Sequence, residues 1–207
     1  MTNIQKETEI EYKSLLTKEE YDSLHETFEE QDLPSKRYVQ TNYYFDTPSM
    51  DLSNQKITLR MRQKGGKWEL TIKSPTSKEK EKGTLYQKKQ EYNMKLSDKE
   101  ALSILKEKEL LFSDYPMLDV LSAFIKTKKK TAFGLLGSLT TERTDYKYGD
   151  DLISLDKSTY NGQVDYELEW ETAQETVPKA LADLGLNLGN GSGKKKRFLN
   201  SLPKKNG

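Results

Sequence analysis

The sequence contains no cysteine and only one histidine. The absence of thiols excludes a disulfide framework and thiolate chemistry, and it is consistent with a reducing compartment. A zinc site built from cysteine and histidine is not expected either. The histidine, His25, lies in an acid-rich helical segment, where we expect a solvated side chain. Without another base, no Ser-His-Asp triad can be built.

Long apolar runs and an excess of charge of one sign are also missing. No stretch approaches the ~20 apolar residues of a membrane span, and the N-terminus has no apolar signal core, so we expect a soluble, cytoplasmic protein with no membrane partner. Lys and Arg number 34 against 33 Asp and Glu, so no overall field attracts nucleic acid. The short run "KTKKKT" lacks interleaved aromatic residues that would stack on bases, and no nucleic-acid partner is expected.

Charged residues make up 32% of the chain, and many of them alternate with apolar residues. In "EIEYK", Glu9, Glu11 and Lys13 lie on one face of a strand, and Ile10 and Tyr12 lie on the other. The same period recurs in "LRMR", "LTIK", "KKQEY" and "YELEWE". Two arrangements fit this pattern: an open sheet with its charged face in water, and a closed barrel with a polar lumen and helices outside. Cations concentrate on the central strands and carboxylates on the first and last, which adds weight to the barrel without excluding the open sheet.

The remaining signals predict a single domain over residues 1–207 with eight strands. Gly65 and Gly66 separate two alternating runs and predict a hairpin. Thr17 with Glu20, and Ser97 with Glu100, are spaced as capping boxes at helix starts. We expect a helical insertion at about 97–127 and a C-terminal helix at about 192–202.

A charged face that points inward requires compensation, because an unpaired buried charge costs several kcal/mol. The planar fork of arginine matches phosphate oxygens and lysine supplies a movable charge, so inward cations suit a chain of phosphates. The cations concerned are Arg60, Arg62 and Lys73. Carboxylates two positions apart on a strand, with Cβ atoms ~6.5 to 7 Å apart, can converge on one hard cation. The two such pairs are Glu9 with Glu11, and Glu167 with Glu169. Oxygen ligands favour Mg²⁺ or Mn²⁺, so the combined ligand is a metal-bound polyphosphate.

The same motifs, in this order, resemble a known family. "EIEYK" fits an E-x-E-x-K signature, and with "LRMR", "LTIK", "ERTDY" and "YELEWE" the chain resembles the CYTH superfamily, the triphosphate tunnel metalloenzymes, from Glu9 to about Phe198. The resemblance implies an α+β fold in which eight antiparallel strands close into a tunnel with a polar lumen and helices packed outside. It further implies binding of linear triphosphates through a divalent metal. The family includes inorganic, thiamine and RNA triphosphatases and class IV adenylyl cyclases.

The resemblance also implies roles for individual residues. The implied metal ligands are Glu9, Glu11, Asp156, Glu167 and Glu169. The implied phosphate-binding residues are Arg60, Arg62, Lys73, Lys89, Arg143 and Lys194. The implied catalytic residues are Lys13, Tyr44 and Glu91. The chain departs from the family at three positions: Lys89 replaces a usual arginine, Asn93 a common second acid, and Thr141 a lysine found in some members.

These features predict metal-dependent hydrolysis of a linear triphosphate with release of phosphate. The substrate would be inorganic triphosphate or an organic triphosphate such as thiamine triphosphate. Two alternatives stay open: a nucleotidyl cyclase like the class IV adenylyl cyclases, and a non-catalytic module that binds polyphosphate or a nucleotide. The motifs do not distinguish among the triphosphates, between one and two metal ions, or between a monomer and a homodimer.

Overall fold

The computed structural model describes residues 4–76, 85–189 and 192–203, and within these ranges the strands form one antiparallel sheet. The nine strands are β1 (Ile4–Leu16), β2 (Ser35–Asp46), β3 (Thr58–Lys64), β4 (Lys67–Pro75), β5 (Tyr86–Leu96), β6 (Glu109–Leu111), β7 (Ala132–Tyr148), β8 (Asp151–Tyr160) and β9 (Gln163–Glu171). The strand order is β2-β3-β4-β5-β1-β9-β8-β7-β6, and β2 also pairs with β7. That pairing closes eight strands into a barrel with helices outside, which confirms the predicted fold class. The three-residue β6 pairs with β7 and was not predicted.

Two of the helices begin at the capping boxes that the sequence predicts. The helices are α1 (Lys18–Glu30), α2 (Asp51–Asn54), α3 (Asp98–Glu107), a 3-10 helix (Pro116–Ala123), α4 (Lys179–Asp183) and α5 (Lys194–Asn200). Thr17 with Glu20 and Ser97 with Glu100 form complete capping boxes at α1 and α3, as predicted. The region expected to be a helical insertion therefore contains α3, β6 and the 3-10 helix. Within the described ranges, no helix is long and apolar enough to cross a membrane.

The predicted hairpin joins β3 and β4. Lys64 lies opposite Lys67, which leaves a loop of two residues. Gly65 and Gly66 have φ values of 56° and 73°, the left-handed values that a two-residue hairpin turn requires at both positions. The turn fixes the register of the two strands, so that Arg60 lies opposite Thr71 and Arg62 opposite Glu69.

The chain divides into two compact units, and each has its own apolar core. Among the described residues, the first unit comprises 4–8, 40–76 and 89–138. Its core contains one face of the hairpin, with Leu59, Met61, Leu70 and Ile72 all fully buried, and Trp68 packs against them. Residues of α3 and the 3-10 helix complete this core, namely Ala101, Ile104, Met117, Leu118 and Leu121.

The described residues of the second unit are 9–39, 85–88, 139–189 and 192–203. Its core joins the apolar faces of β1, β7, β8 and β9 to helix α1. The residues that contribute from the strands are Tyr12, Leu16, Tyr146, Ile153, Leu155, Leu168 and Trp170, and those from α1 are Tyr21, Leu24 and Phe28. Both tryptophans therefore pack in apolar cores, as expected from their positions opposite the charged residues.

The faces opposite these cores carry the charged residues, and several of their side chains are buried as well. The charged and polar residues with little exposure include Glu11, Glu91, Arg143, Asp156, Glu167 and Glu169. A solvated open sheet would leave these side chains in water. Because they are buried, the closed barrel with a polar interior is the correct arrangement of the two, and the open sheet with a solvated charged face is not.

The expectation of a solvated His25 is wrong. The residue is 9% exposed, and its Nδ1 lies 2.6 Å from the hydroxyl of Tyr146. Its ring also packs edge-on against Tyr21. Although α1 is rich in acids, His25 lies on the side of the helix that contains Tyr21, Leu24 and Phe28 and packs on the sheet. Burial, with a smaller contribution from the positive charge of Arg37, lowers the pKa of His25 below its usual value.

The pKa of His25 predicts a pH dependence of stability. The pKa of His25 is lower in the folded protein than in the unfolded chain, where it is about 6.5. Protonation of His25 therefore favours the unfolded chain, and the folded protein loses stability as the pH falls below about 6.5. We expect the free energy of unfolding of the native protein to fall more steeply between pH 7 and pH 5 than that of His25→Gln. Urea denaturation at a series of pH values measures the difference.

Proton NMR gives an independent control on this prediction. Since the chain has one histidine, its imidazole resonances are assigned without ambiguity. A titration midpoint above that of an unfolded peptide of the same sequence would contradict the prediction.

Candidate functional site

The strand register of the second unit sets charged side chains opposite one another on a single face. In the β1–β9 pair, Lys13 lies opposite Glu169. In the β8–β9 pair, Asp156 lies opposite Glu167, and in the β7–β8 pair, Arg143 lies opposite Asp156. Because facing residues in adjacent strands have Cβ atoms ~5 Å apart, this register alone brings acids and bases of four strands within reach of each other.

Three of these acids form what we call the carboxylate cluster: Asp156, Glu167 and Glu169. One oxygen of each lies within 4.8 Å of one from each of the others, and all three side chains are buried. Carboxylate oxygens at this spacing are the ligands that hard divalent cations such as Mg²⁺ and Mn²⁺ prefer. The chemistry of these residues therefore fits the metal that the sequence predicts.

Cations of the same unit surround the carboxylate cluster. Arg143 donates two hydrogen bonds to Asp156, each 2.6 Å long, and a third to Glu169. Lys13 lies 2.5 Å from Glu169 and 3.0 Å from Glu11. Lys194, from the first turn of α5, lies 2.7 Å from both Asp156 and Glu169 and also pairs with Glu167. Each carboxylate of the cluster is thus bound by at least one cation.

The charges in this group stabilise one another's ionised forms. Burial alone would raise the pKa of Glu169, but the positive charges of Lys13, Lys194 and Arg143 outweigh it and hold that pKa well below its usual range. Asp156 is similar: burial opposes ionisation, and Arg143 and Lys194 lower the pKa of its carboxyl. Conversely, burial would lower the pKa of Lys13, but Glu11 and Glu169 raise it well above its usual value. All of these groups remain charged at neutral pH.

The structure adds Arg197 to the residues that the sequence singled out. Its guanidinium contacts Asp165 at 2.7 Å and Glu167 at 3.1 Å. Asp165 in turn accepts a hydrogen bond from the hydroxyl of Tyr160. The sequence contains one indication of this role. Arg197 follows Lys194 by three residues, and residues at i and i+3 lie on the same side of a helix.

The first strand places its acids differently from the closing strand. Glu9 and Glu11 are predicted metal ligands, yet neither belongs to the carboxylate cluster as defined among the described residues. Glu11 is 1% exposed and reaches the cluster through Lys13, while Glu9 is half-buried. Glu171 lies opposite Glu11 in the register, and burial, together with the negative charges of Glu169 and Glu9, raises the pKa of Glu171 to about 7.

In the first unit, the buried acid Glu91 contacts two of the predicted phosphate-binding cations. Glu91 is 5% exposed, and its carboxylate lies 2.7 Å from Lys73 and 3.7 Å from Arg60. Burial opposes its ionisation, but the charges of Arg60 and Lys73 prevail and lower the pKa of Glu91 to about 2. The register explains the contact, because Lys73 lies directly opposite Glu91 in the β4–β5 pair.

The other predicted residues of this unit lie on the same strands. Arg62 donates a hydrogen bond of 3.0 Å to Asn42, its neighbour across the β2–β3 pair. Tyr44 is 2% exposed and lies opposite Arg60. Lys89 is half-buried on β5, two positions before Glu91 on the same face. The structure therefore gathers the predicted phosphate-binding cations of β3, β4 and β5 on one side of the sheet.

Comparison with known proteins agrees with this geometry. The sequence profile of the CYTH domain matches residues 7–197. The chain belongs to the CYTH family. The match covers β1 through β9 and most of α5, so it includes every predicted site residue.

Individual CYTH relatives cover most of the chain. One relative is a Bacillus subtilis (strain 168) protein named "Putative triphosphatase YjbK", to which this chain is 35% identical over 169 residues. The matched region covers 81% of this chain and 78% of the relative. Among solved structures, a protein of Bacillus halodurans described as a "putative adenylate cyclase" superposes with a TM-score of 0.74 at 28% identity, covering 93% of this chain and 98% of that one. The Hippeastrum protein HpAC1, described as having a dominant triphosphatase activity, also gives a TM-score of 0.74, at 21% identity and with 94% and 98% covered. At that identity the HpAC1 likeness shows the fold alone.

The buried pair of Arg143 and Asp156 predicts a large effect on stability. Replacing Asp156 by Asn removes the charge that binds Arg143 and Lys194, and breaking a buried ion pair typically costs about 3 to 5 kcal/mol. We expect Asp156→Asn to lower the free energy of unfolding by that order in denaturant titrations made in EDTA.

The same two strands offer a matched control for this prediction. Glu142 and Lys157 occupy the adjacent register position and form an ion pair of 2.9 Å that is exposed to solvent. Because solvent screens such a pair, Glu142→Gln should have little measurable effect. Equal losses in the two variants would show that the buried pair contributes no more than the exposed one.

Proposed function

We propose that this protein is a metal-dependent triphosphatase that hydrolyses a linear triphosphate and releases phosphate. The observation that supports the proposal most directly is the buried carboxylate cluster with its cations, in a chain of the CYTH family. A relative at 35% identity bears a triphosphatase name, which points to the same activity.

The proposed metal is Mg²⁺ or Mn²⁺. Asp156, Glu167 and Glu169 would hold it, with Glu9 and Glu11 as further oxygen ligands. A divalent cation bound to a triphosphate reduces the negative charge on the phosphate oxygens and makes the phosphorus easier to attack.

The cations of the chain are proposed to bind phosphate oxygens and to stabilise the charge that moves to the leaving oxygen. Those concerned are Arg60, Arg62, Lys73, Lys89, Arg143 and Lys194. Four of them contact carboxylates: Arg60, Lys73, Arg143 and Lys194. Arg62 donates a hydrogen bond to the amide oxygen of Asn42. A phosphate oxygen offers a charged acceptor to such donors. A bound triphosphate could therefore take over these hydrogen bonds without leaving the cations unpaired.

Three further residues are proposed to act on the reacting groups. Glu91 is ionised at neutral pH, since the pKa of its carboxyl is about 2, and it can accept a hydrogen bond from the attacking water and orient it. Lys13 keeps its proton because Glu11 and Glu169 raise its pKa, and it can donate a hydrogen bond to the departing oxygen. Tyr44 is proposed to assist Lys13 in this role. The substrate would be inorganic triphosphate or an organic one such as thiamine triphosphate.

The proposed activity predicts metal-dependent phosphate release. Purified protein would be given tripolyphosphate, ATP or thiamine triphosphate, each with Mg²⁺, Mn²⁺ or EDTA, while phosphate and cyclic nucleotide are measured. We expect phosphate from at least one substrate with metal and none in EDTA. Removing one donor to the reacting group typically costs roughly 10²- to 10³-fold in rate, and Arg60→Ala should lose activity of that order.

The control for this assay is Lys157→Ala. Lys157 neighbours Asp156 in sequence but lies on the opposite face of β8, and it is exposed to solvent. Its replacement should leave turnover unchanged. If cyclic nucleotide were the main product, the reaction would be a cyclisation. If tripolyphosphate raised the melting temperature without any product, the protein would bind polyphosphate without cleaving it, which the asparagine at position 93 would help to explain.

A further inference from the structure

The buried polar atoms of the first unit that lack a hydrogen-bond partner among the described residues include Arg60 Nε, Thr71 Oγ1 and Asn93 Oδ1. The register brings the three residues together, because Arg60 lies opposite Thr71 and Thr71 lies opposite Asn93. We call this set of residues the central row. It crosses β3, β4 and β5 at one level of the sheet.

Thr71 is the most deeply buried member of the central row. It is fully buried, and its neighbours Leu70 and Ile72 point to the apolar core on the other face. The Thr71 side chain therefore lies on the charged face, which it shares with Lys73. Most buried hydroxyl groups in proteins have a partner, and one without a partner is unfavourable for the fold.

The fold itself gives no reason for a hydroxyl at this position. Valine has the same branched shape and an equal preference for strands, and a methyl group requires no hydrogen bond. The contrast with Thr141 is informative, since that residue is equally buried but its Oγ1 lies 3.0 Å from Ser158 Oγ. The hydroxyl of Thr141 therefore has a partner within the fold, whereas the hydroxyl of Thr71 is available to a ligand.

The adjacent row differs in charge balance. There, Lys73 lies opposite Glu91 and the two form an ion pair of 2.7 Å. The central row has the charge of Arg60 but no acid, and its nearest carboxylate, Glu91, is 3.7 Å from Arg60 Nη2. The guanidinium and the hydroxyl therefore present two N–H or O–H donors side by side, which is the requirement for binding an anionic oxygen.

We propose that Thr71 is a substrate-binding residue whose hydroxyl donates a hydrogen bond to a phosphate oxygen that Arg60 also contacts. This assignment rests on the proposed function, since it takes a triphosphate as the ligand. Asn93 Oδ1 is an acceptor and suits a hydrogen of a bound water rather than a phosphate oxygen. Thr71 thus adds a neutral donor to the charged groups that the motifs indicate.

The test compares Thr71→Val with Thr71→Ser, using calorimetric titration with tripolyphosphate in EDTA so that binding is measured without turnover. Loss of a hydrogen bond to a charged acceptor should weaken binding by roughly 10- to 100-fold in Thr71→Val. Thr71→Ser keeps the hydroxyl and should bind within about threefold of the native protein. Denaturant titration without ligand should show Thr71→Val at least as stable as the native protein.

Thr141→Val is the matched control for stability. It removes a hydroxyl that has a partner and leaves Ser158 without one, so its stability should fall while that of Thr71→Val does not. Opposite signs in the two valine variants, together with weaker binding in Thr71→Val, would support the assignment.

Other results would overturn it. Unchanged affinity in Thr71→Val would mean that the hydroxyl serves only an ordered water. Weaker binding accompanied by a loss of stability without ligand would assign the hydroxyl to the fold. An equal loss of affinity in Thr71→Ser would also contradict a role for the hydroxyl. If the native protein itself failed to bind tripolyphosphate with or without Mg²⁺, the proposed function would be wrong, and the assignment with it.

Discussion

The buried charges on the inner strand faces impose the condition that the rest of the structure satisfies: every one of them needs a partner of opposite sign. Glu169 illustrates it, because burial alone would favour its protonated form and three cations are required to keep it ionised. Each cation comes from a different element: Lys13 from β1, Arg143 from β7 and Lys194 from α5. Since removing one partner leaves a buried charge unpaired, the ion pairs tie these elements together.

The same condition connects the fold to the proposed chemistry. Ion pairs between carboxylates and cations of the protein can be exchanged for ion pairs with a ligand, provided that the ligand carries both positive and negative charge. A divalent metal with a triphosphate does so, because the metal can replace cations at the carboxylates and the phosphates can replace carboxylates at the cations. The central row is an exception, since Thr71 Oγ1 has no hydrogen-bond partner among the described residues that a ligand would have to replace. Replacing Thr71 therefore tests ligand binding without removing a hydrogen bond within the described part of the protein.

Much of this arrangement could be predicted from local sequence. The strand period, the turn at Gly65 and Gly66, and both capping boxes depend on residues close together in the chain, and the structure confirms them. His25 shows where such reasoning fails. Its neighbours in sequence are acids, but its position on α1 turns it toward Tyr146, 121 residues away. Arg197 was missed for a related reason. Its partners, Asp165 and Glu167, lie on β9, and its spacing from Lys194 does not identify them.

The sequence by itself determined which side chains share a strand face, because alternation has a period of two residues whatever the strand pairs with. It could not determine which of the two faces is enclosed, since an open sheet and a barrel give the same alternation. The tertiary structure decided that, through the pairing of β2 with β7 and the helices that cover the apolar faces. It also decided which acids converge: Asp156 and Glu167 face each other through the register of β8 and β9, and strand register is set by pairing between segments rather than within them.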